Sequence, residues 1–558
     1  MTFIEIALSP KSINRFVFLV IFSLILIYLS QPIYGTTDDK ILAGFIDGSY
    51  TGELEIQTIF IQPIISLIFN PFYYVLPSFG WYAIFQVGLV IIALSLVPPA
   101  LNSVKPILNN YFLALSLFIL SWHVPKITFT SSAILIFLLA YLIILLYLIS
   151  GEKSKSKIVI VAFMFIFSFY LRPEAVIGIS ILLILPIVKY FKNIMKFNKS
   201  LLLVFIVLIS LLTSVNLLLR EFNSSEEWDK YNEWNSYRHQ IQNRISQDNL
   251  WRDLDKISWS PAEHNLFLSL SYGDPNIFNS QWIKPAFELT RSTTGLNGLI
   301  NASPAHTLQK TIWVIQKYQV EILYLLFLST ILLILFRTRK TFLYIFATWI
   351  QGLALVYFMA ATLHTPERVV IPLFIGCTIV CLVLVLDQNI SRLIRFNSFR
   401  IVALASFVTL IAAPGGLYHD YVDRKEEIDN SIKVKQVLSN YDENYILLGS
   451  VGTEVNHLVN PYLSSNFEQD LKIITVGNWE TFSPHWYKRN LKLGIESKNI
   501  YQDLIKNPRV LWVTKEIPDT AYQVELYLRE QNVSDFERRS VTTGLNGLNV
   551  FRFTPDLP

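Results

Sequence analysis

Two adjacent carboxylates follow the first apolar run of the chain. Asp38 and Asp39 lie in the segment "TTDD" (36–39), directly after the apolar stretch 16–33. Adjacent like charges disfavour each other's ionised form, the more so close to hydrocarbon. A carboxylate at a membrane surface can serve as a general base that takes the proton of a nucleophilic hydroxyl. The alternative is a solvated loop that caps the following helix, and the residues alone leave both interpretations open.

Basic and acidic side chains also occur together in short turns between later apolar runs. These are Arg172 with Glu174 in "YLRPEAV" (170–176), His364 with Glu367 and Arg368 in "TLHTPERVVIP" (362–372), and Lys126 in "SWHVPKITFT" (121–130). Charged side chains at or just inside the boundary of a membrane are usually paired or functional. The planar guanidinium of arginine suits a phosphate group. The alternatives are a structural pair of Arg172 with Glu174, a polar turn at 362–372 and, for Lys126, a side chain that extends to the membrane surface.

A third kind of candidate lies in the segment "EEWDKYNEWNSYRHQIQNR" (226–244), which mixes aromatic and polar residues. Aromatic faces flanked by polar groups suit sugar rings, so Trp228, Trp234 and Arg238 are candidates for sugar contact. The alternative is an amphipathic helix whose aromatic residues lie at the membrane surface.

The composition shows what must position these residues. Of 558 residues, 52% are hydrophobic and 16% charged, and the mean hydropathy is +0.42. Many apolar runs are long enough to cross a bilayer, so the chain is predicted to be a polytopic α-helical membrane protein. The net charge of +4 gives no indication of nucleic-acid binding. Cys377 and Cys381 lie inside an apolar run, which favours buried thiols over a disulfide.

The apolar runs predict about eleven transmembrane helices. They lie near 16–34, 80–100, 109–123, 130–150, 158–171, 175–189, 201–219, 319–336, 341–362, 369–386 and 400–417. The stretch 56–76 is broken by Pro63 and Pro71 and is predicted to form interfacial helices in the outer surface.

The distribution of basic residues predicts how these spans are oriented in the membrane. With a cytoplasmic N-terminus, carried by an uncleaved signal anchor, every basic cluster falls on the inner side, as expected for a plasma-membrane protein. The outer loops 35–79 and 220–318 and the tail 418–558 are then extracytoplasmic, and all the candidate residues lie on that face. The transmembrane domain comprises residues 1–417.

The tail 418–558 is predicted to be a small α/β domain. Four β-rich runs, "YILLGSV" (445–451), "LKIITVG" (471–477), "RVLWVT" (509–514) and "LNVFRF" (548–553), alternate with helical patterns such as "IDNSIKVKQVLSNY" and "TAYQVELYLREQ".

The whole pattern resembles the GT-C superfamily of integral-membrane glycosyltransferases. The similarity lies in "TTDD" (36–39), the helix-rich segment 40–76 and the tail, while "WDKYNEWNSYRHQIQNR", "RPE" and "PER" are similar to segments of uncharacterised bacterial proteins of this class. The resemblance implies a polyprenyl-phosphate-linked sugar donor and transfer to a cell-surface glycan or lipid acceptor on the outer leaflet.

The same resemblance implies roles for the candidate residues. Asp38 or Asp39 would be the general base, and Arg172, Arg368 and Lys126 would neutralise the donor phosphate, whose charge grows as it leaves. Glu174, Glu367 and His364 could complete the site, with a divalent cation (Mg²⁺ or Mn²⁺) left open.

Two other classes remain as alternatives. A polysaccharide polymerase or ligase would share the lipid-linked donor without needing the acidic pair. A lipid-linked sugar transporter or flippase would be expected to show internal repeats and charges or breaks in the middle of its spans; the sequence shows neither.

Overall fold

A computed structural model describes residues 10–30, 32–106, 108–150, 155–195, 199–245, 257–291, 303–336, 338–362 and 365–388. In the tail it describes residues 445–448, 460–463, 473–515, 520–533, 536–545 and 548–555, with isolated positions between 425 and 439.

Helices dominate the first 388 residues of the chain. The first ten are α1 (Pro10–Ser30), α2 (Thr37–Asp47), α3 (Pro63–Val75), α4 (Trp81–Val104), α5 (Leu108–His123), α6 (Phe129–Ser150), α7 (Lys155–Leu171), α8 (Pro173–Ser180), α9 (Ile184–Met195) and α10 (Lys199–Asn223). A 3-10 turn at Ile181–Leu183 joins α8 to α9.

Seven more helices follow in this part of the chain. They are α11 (Glu226–Ile245), α12 (Pro261–Leu268), α13 (Ser280–Arg291), α14 (Pro304–Lys317), α15 (Gln319–Phe336), α16 (Arg339–Thr362) and α17 (Glu367–Leu384).

The prediction of a polytopic helical membrane protein is confirmed. Within the described residues, seven segments are long and apolar enough to cross a membrane: Ile13–Ser30, Trp81–Val104, Phe129–Ser150, Pro173–Phe191, Gln319–Phe336, Arg339–Thr362 and Glu367–Leu384. Pro63–Val75 and Ile158–Leu171 are shorter apolar helices. Ten of the eleven predicted spans coincide with helices, and the eleventh, 400–417, lies outside the described residues.

Helices α6 and α17 form the centre of the bundle. Helix α6 is apolar on every side and packs against α4, α7 and α17, which fits a helix surrounded by protein. Helices α15 and α16 pack in turn against α17. Many large apolar side chains of α1 and α16 are exposed, as expected for helices that face lipid.

The tail forms a five-stranded mixed sheet. Its strands are β3 (Tyr445–Leu448), β4 (Ile473–Thr475), β5 (Val510–Lys515), β6 (Phe536–Leu545) and β7 (Leu548–Pro555), in the order β4-β3-β5-β7-β6. Strand β3 is parallel to β4 and β5, whereas β7 is antiparallel to β5 and β6. The four predicted strands are present and β6 is additional. Helices α18 (Pro484–Lys492), α19 (Ile500–Lys506) and α20 (Thr520–Glu530) accompany the sheet.

Part of the large loop 220–318 belongs to the same hydrophobic core as the tail. Trp234 of α11 and Ile283 of α13 are buried in one cluster with Trp486 and Trp512 of the tail. We call the unit made of α11–α13, α18–α20 and β3–β7 the extramembrane domain. It joins two regions that the sequence analysis assigned to different domains.

The extramembrane domain contacts the first long loop through α18. Lys488 Nζ lies 2.6 Å from Glu53 Oε2 and 2.8 Å from Glu55 Oε1. His485 Nε2 donates to the carbonyl oxygen of Gln57 at 2.6 Å. These contacts hold the segment that follows α2, and α2 carries Asp38 and Asp39 in its first turn.

Candidate functional site

A parallel sheet of two short strands brings the segment that follows α1 next to the loop between α5 and α6. Strand β1 (Ile33–Tyr34) pairs with β2 (Lys126–Ile127), and the amide of Gly35 extends the pairing by donating to the carbonyl of Ile127 at 2.8 Å. A Cβ atom on Gly35 would lie 2.5 Å from Thr128 Cγ2, so any larger residue here would force Thr128 or the strand pairing to shift. The segment "TTDD" therefore starts beside Lys126.

Asp39 is wholly buried and hydrogen-bonded. Its Oδ1 accepts the backbone N–H of Phe129 at 2.6 Å and the hydroxyl of Tyr82 at 3.4 Å, and its Oδ2 accepts the Thr36 hydroxyl at 2.7 Å. Phe129 is the first residue of α6, so the carboxyl group caps a central helix from a distant part of the chain. Burial raises the pKa of Asp39 to about 7, against the lowering effect of the Thr36 and Phe129 hydrogen bonds.

Asp38 has a different environment from its neighbour. Its side chain is 24% exposed, and Oδ2 lies 3.6 Å from Nη1 of Arg368, the second residue of α17. Asp38 is therefore open to a ligand and held by a cation, whereas Asp39 is engaged in the helix cap.

Arg172 lies against two aromatic rings near the acidic pair. Its Cζ is 5.3 Å from the ring centre of Phe60 and 5.2 Å from that of Phe129, and the two rings are nearly parallel. Its Nε is 3.4 Å from Glu174 Oε2, whose side chain is largely exposed. Burial lowers the pKa of Arg172, while the charges of Glu174 and, more weakly, Asp38 partly offset this effect. The rings fix the plane of the guanidinium close to Asp38.

A cavity of about 290 Å³ opens at the ends of the bundle helices. Its lining contains three cations, Lys126, Lys317 and Arg368, and one carboxylate, Glu367. The remaining lining residues are Gly35, Thr36, Trp122, Thr128, Trp313, Tyr318, Thr365 and Pro366. The excess of cations over carboxylates makes this a site suited to an anion.

Glu367 pairs with two other residues of the cavity lining. Its Oε2 is 2.9 Å from Lys126 Nζ, and its Oε1 accepts the indole N–H of Trp122 at 3.3 Å. Elsewhere in the lining, Lys317 Nζ lies 5.3 Å from the ring centre of Trp313 and 5.5 Å from that of Tyr318. These rings hold the Lys317 ammonium by cation–π interactions without neutralising it.

The structure therefore brings together several of the predicted residues. Asp38, Lys126, Glu367 and Arg368 meet at or beside the cavity, and Arg172 with Glu174 lies next to the acidic pair. His364 lies outside the described residues.

The structure does not support the predicted sugar contacts on α11. Trp228 and Trp234 are only 6% and 3% exposed, in the core of the extramembrane domain. A ring that stacks on a sugar needs an open face, which neither has. Arg238 is also buried, and its Nε and Nη2 both donate to Asn235 Oδ1, at 3.0 and 2.7 Å. We assign these three residues to the packing of α11.

Among the lining residues that were not predicted, the largest are Trp122, Trp313, Lys317 and Tyr318. Lys317 is the last residue of α14, where a lysine is expected simply as a partner for the helix carbonyls. The useful signal was the pair of aromatic residues near Lys317 at a junction between two helices.

The charges of the site do not suit a divalent cation. Magnesium and manganese prefer several carboxylate or carbonyl oxygens. Among the described residues, no group of three or more His, Cys, Asp or Glu side chains is placed to hold a metal. Asp38 and Glu367 each pair with a cation, so the described side chains do not fit Mg²⁺ or Mn²⁺.

Comparison with known proteins gives distant likenesses. A family model described as EIIC-GAT, PTS system sugar-specific permease component, matches residues 276–478, less than half of the 558 residues. The chain is similar to ArnT from Cupriavidus metallidurans, whose crystal structure is bound to undecaprenyl phosphate, with 12% identity and a TM-score of 0.41 over 96% of this chain and 97% of that chain. No curated protein matches. These likenesses assign no role to any residue of this chain.

Proposed function

We propose that this chain is a membrane glycosyltransferase. It would take a sugar from a polyprenyl-phosphate-linked donor and transfer it to a glycan or lipid acceptor on the outer face of the plasma membrane. The observation that carries the proposal is the cavity lined by Lys126, Lys317 and Arg368, with Asp38 beside it, at the ends of apolar helices.

The location of the cavity suits a phosphate that is attached to a lipid. Helices α15 and α17 begin at Gln319 and Glu367, so the lining residues 317–318 and 365–368 directly precede or open two candidate membrane spans. A polyprenyl chain would remain among the apolar helices while its phosphate entered the cavity. Lys317 and Arg368 would donate charge-assisted hydrogen bonds to the phosphate oxygens.

Asp38 would act as the general base. In the proposed step Asp38 takes the proton of the acceptor hydroxyl as that oxygen attacks the anomeric carbon of the sugar. The bond from the anomeric carbon to the phosphate oxygen breaks, and its electron pair stays with the phosphate. The cations of the cavity lower the barrier because they stabilise the negative charge that grows on this leaving group. Arg368 would also hold Asp38 in place, at 3.6 Å.

Binding of a polyprenyl phosphate tests the assignment of the cavity. The test compares Lys317→Gln with Lys310→Gln, a lysine on the same helix α14 that is not among the lining residues. Loss of a hydrogen bond to a charged group costs about 1.5–3 kcal/mol. The Kd of Lys317→Gln should therefore rise roughly 10- to 100-fold, with Lys310→Gln unchanged. Equal Kd values for both variants and the wild type would refute this phosphate site.

The family-model match favours a second candidate, a membrane protein that conducts sugars. Uptake of labelled sugars into proteoliposomes distinguishes the two. A transporter would accumulate free sugar inside the vesicles without consuming a lipid-linked donor, and a transferase would not.

A further inference from the structure

One short segment of the tail is inserted among the loops of the membrane bundle. In the segment 460–463, the Tyr462 hydroxyl donates to the carbonyl of Val124 at 2.9 Å, and the Tyr462 carbonyl accepts the amide of Gly80 at 3.0 Å. Tyr462 is buried and belongs to the hydrophobic core of the bundle. Gly80 directly precedes α4, and Val124 lies just before β2. The segment is therefore fixed at the edge where the bundle helices begin.

The residue after Tyr462 projects away from this buried contact. Leu463 is 56% exposed, and its backbone forms an isolated antiparallel bridge with Phe79, which is itself 44% exposed. The backbone of Leu463 is thus held by its bridge to Phe79, while more than half of its side chain is left uncovered by the described residues.

Leu463 extends a larger apolar surface. The residues that form it with Leu463 are Phe72, Tyr74, Val75, Leu76 and Phe79, all more than a third exposed. The sequence 71–81, "PFYYVLPSFGW", contains no charged residue. We call this surface, made of those five residues and Leu463, the apolar rim.

The apolar rim is continuous with the membrane-crossing part of the chain. It begins in the apolar helix α3 and ends at Trp81, the first residue of the candidate span α4. The Trp81 indole packs against Phe72 and Phe79 and donates its N–H to the carbonyl of Leu76 at 2.9 Å. Tryptophan and tyrosine concentrate at the level of the lipid headgroups, where one side of the ring is apolar and the other wet.

We propose that the apolar rim contacts the bilayer at the boundary between headgroups and acyl chains, so that the tail touches the membrane through Leu463. The partner is the lipid surface itself. The rim is uncharged and joins two apolar helices, so it suits acyl chains better than water. The tail would thus contact the bilayer through one of its own residues, in addition to its contacts with the loops.

Site-directed spin labelling tests this proposal without depending on any activity. The label is placed at Leu463→Cys in the full chain in lipid nanodiscs. The native Cys377 and Cys381 are wholly buried and should not react. Tyr28→Cys on α1, whose side chain is 85% exposed on a candidate span, is the lipid control. Glu530→Cys, exposed at the end of α20, is the water control.

The accessibility of each label to oxygen and to a water-soluble nickel complex decides the outcome. The label at position 463 should be protected from the nickel complex and accessible to oxygen, between the two controls and closer to the lipid control. Accessibility equal to that of the label at position 530 would overturn the proposal. Dipolar broadening between labels on two molecules would also overturn it, because it would show that a second copy covers the rim. A parallel label at Val75→Cys should behave like the one at 463, because it lies on the same surface.

Discussion

The pH dependence of stability should reveal the buried carboxyl group of Asp39. Its pKa is raised from the ordinary value of 3.8 to about 7, mainly by burial. Because a tenfold change in proton affinity corresponds to about 1.4 kcal/mol, ionising Asp39 in the folded protein costs on the order of 4 kcal/mol more than in water. Between pH 4 and pH 7 the folded chain holds a proton that the unfolded chain has lost. The contribution of Asp39 to the stability of the folded state is therefore fully present below pH 4 and is lost as the pH rises to 7.

Asparagine at this position removes the titration and keeps the shape. In Asp39→Asn the amide oxygen still accepts the N–H of Phe129, and the amide nitrogen can donate to Thr36, whose hydroxyl rotates to accept. The wild-type unfolding temperature should fall from pH 5 to pH 8, and Asp39→Asn should reduce that fall. At pH 8 the variant should be at least as stable as the wild type. Asp38→Asn, which alters an exposed neighbour, is the matched control and should keep the wild-type pH dependence.

The assay is thermal unfolding in nanodiscs, followed by intrinsic tryptophan fluorescence at intervals between pH 5 and pH 8. The difference between wild type and variant isolates Asp39 from the other titrating groups, including Asp503, whose pKa burial raises to about 6. An unchanged pH dependence of the unfolding temperature in Asp39→Asn would mean that Asp39 ionises in the folded protein as it does in water, contrary to this prediction.

Three further substitutions test the packing around the site. In Gly80→Ala the new Cβ would lie 2.0 Å from the carbonyl oxygen of Pro461. Overpacking of this kind lowers the free energy of unfolding by about 1–3 kcal/mol. Limited proteolysis should therefore show faster cleavage near 460–463 than in the wild type. Trp234→Ala should lower the free energy of unfolding by about 3–5 kcal/mol while leaving donor affinity unchanged, and loss of affinity in folded protein would restore it as a sugar contact. Lys488→Gln should lower the free energy of unfolding by less than about 1 kcal/mol, because the Lys488 side chain is 40% exposed where it pairs with Glu55. A larger decrease, measured by chemical denaturation, would contradict this prediction.

The sequence predicts the membrane helices well because their signal is local. Helix α6 is a continuous apolar run, and such a run has to lie in lipid or in a protein core. Strand β6 was missed because Glu537, Arg538 and Arg539 interrupt its alternation of apolar and polar residues. The Asn546–Gly547 pair between β6 and β7 is a hairpin signal that could have predicted it.

The different environments of Asp38 and Asp39 could not be predicted. Neighbouring residues on a helix point about a quarter-turn or more apart, and the sequence does not say which one faces the core. The N–H that Asp39 binds belongs to Phe129, far along the chain. That contact depends on the pairing of β1 with β2, two strands of two residues each, which carry no recognisable pattern.

The burial of the α11 aromatic residues, by contrast, could have been predicted from their spacing. Trp228, Tyr231, Trp234, Arg238 and Ile241 recur at intervals of three and four residues, and all five are buried. This spacing places them on one face of a helix, which is typical of a core-facing stripe. The mixture of aromatic and polar residues had suggested a sugar surface, but the periodicity favours packing.

Transfer of a labelled sugar is the direct test of the proposed glycosyltransferase activity. Purified protein in membranes is supplied with radiolabelled polyprenyl-phosphate hexoses or pentoses, and loss of label from the lipid is followed in wild type, Asp38→Asn and Asp39→Asn. Loss of a general base lowers turnover by roughly 10²- to 10⁴-fold. We expect label to leave the lipid in wild type and in Asp39→Asn and to stay on the lipid in Asp38→Asn. Equal loss of label in Asp38→Asn and wild type would show that Asp38 is not the general base and would favour a polymerase or ligase that needs no acidic base.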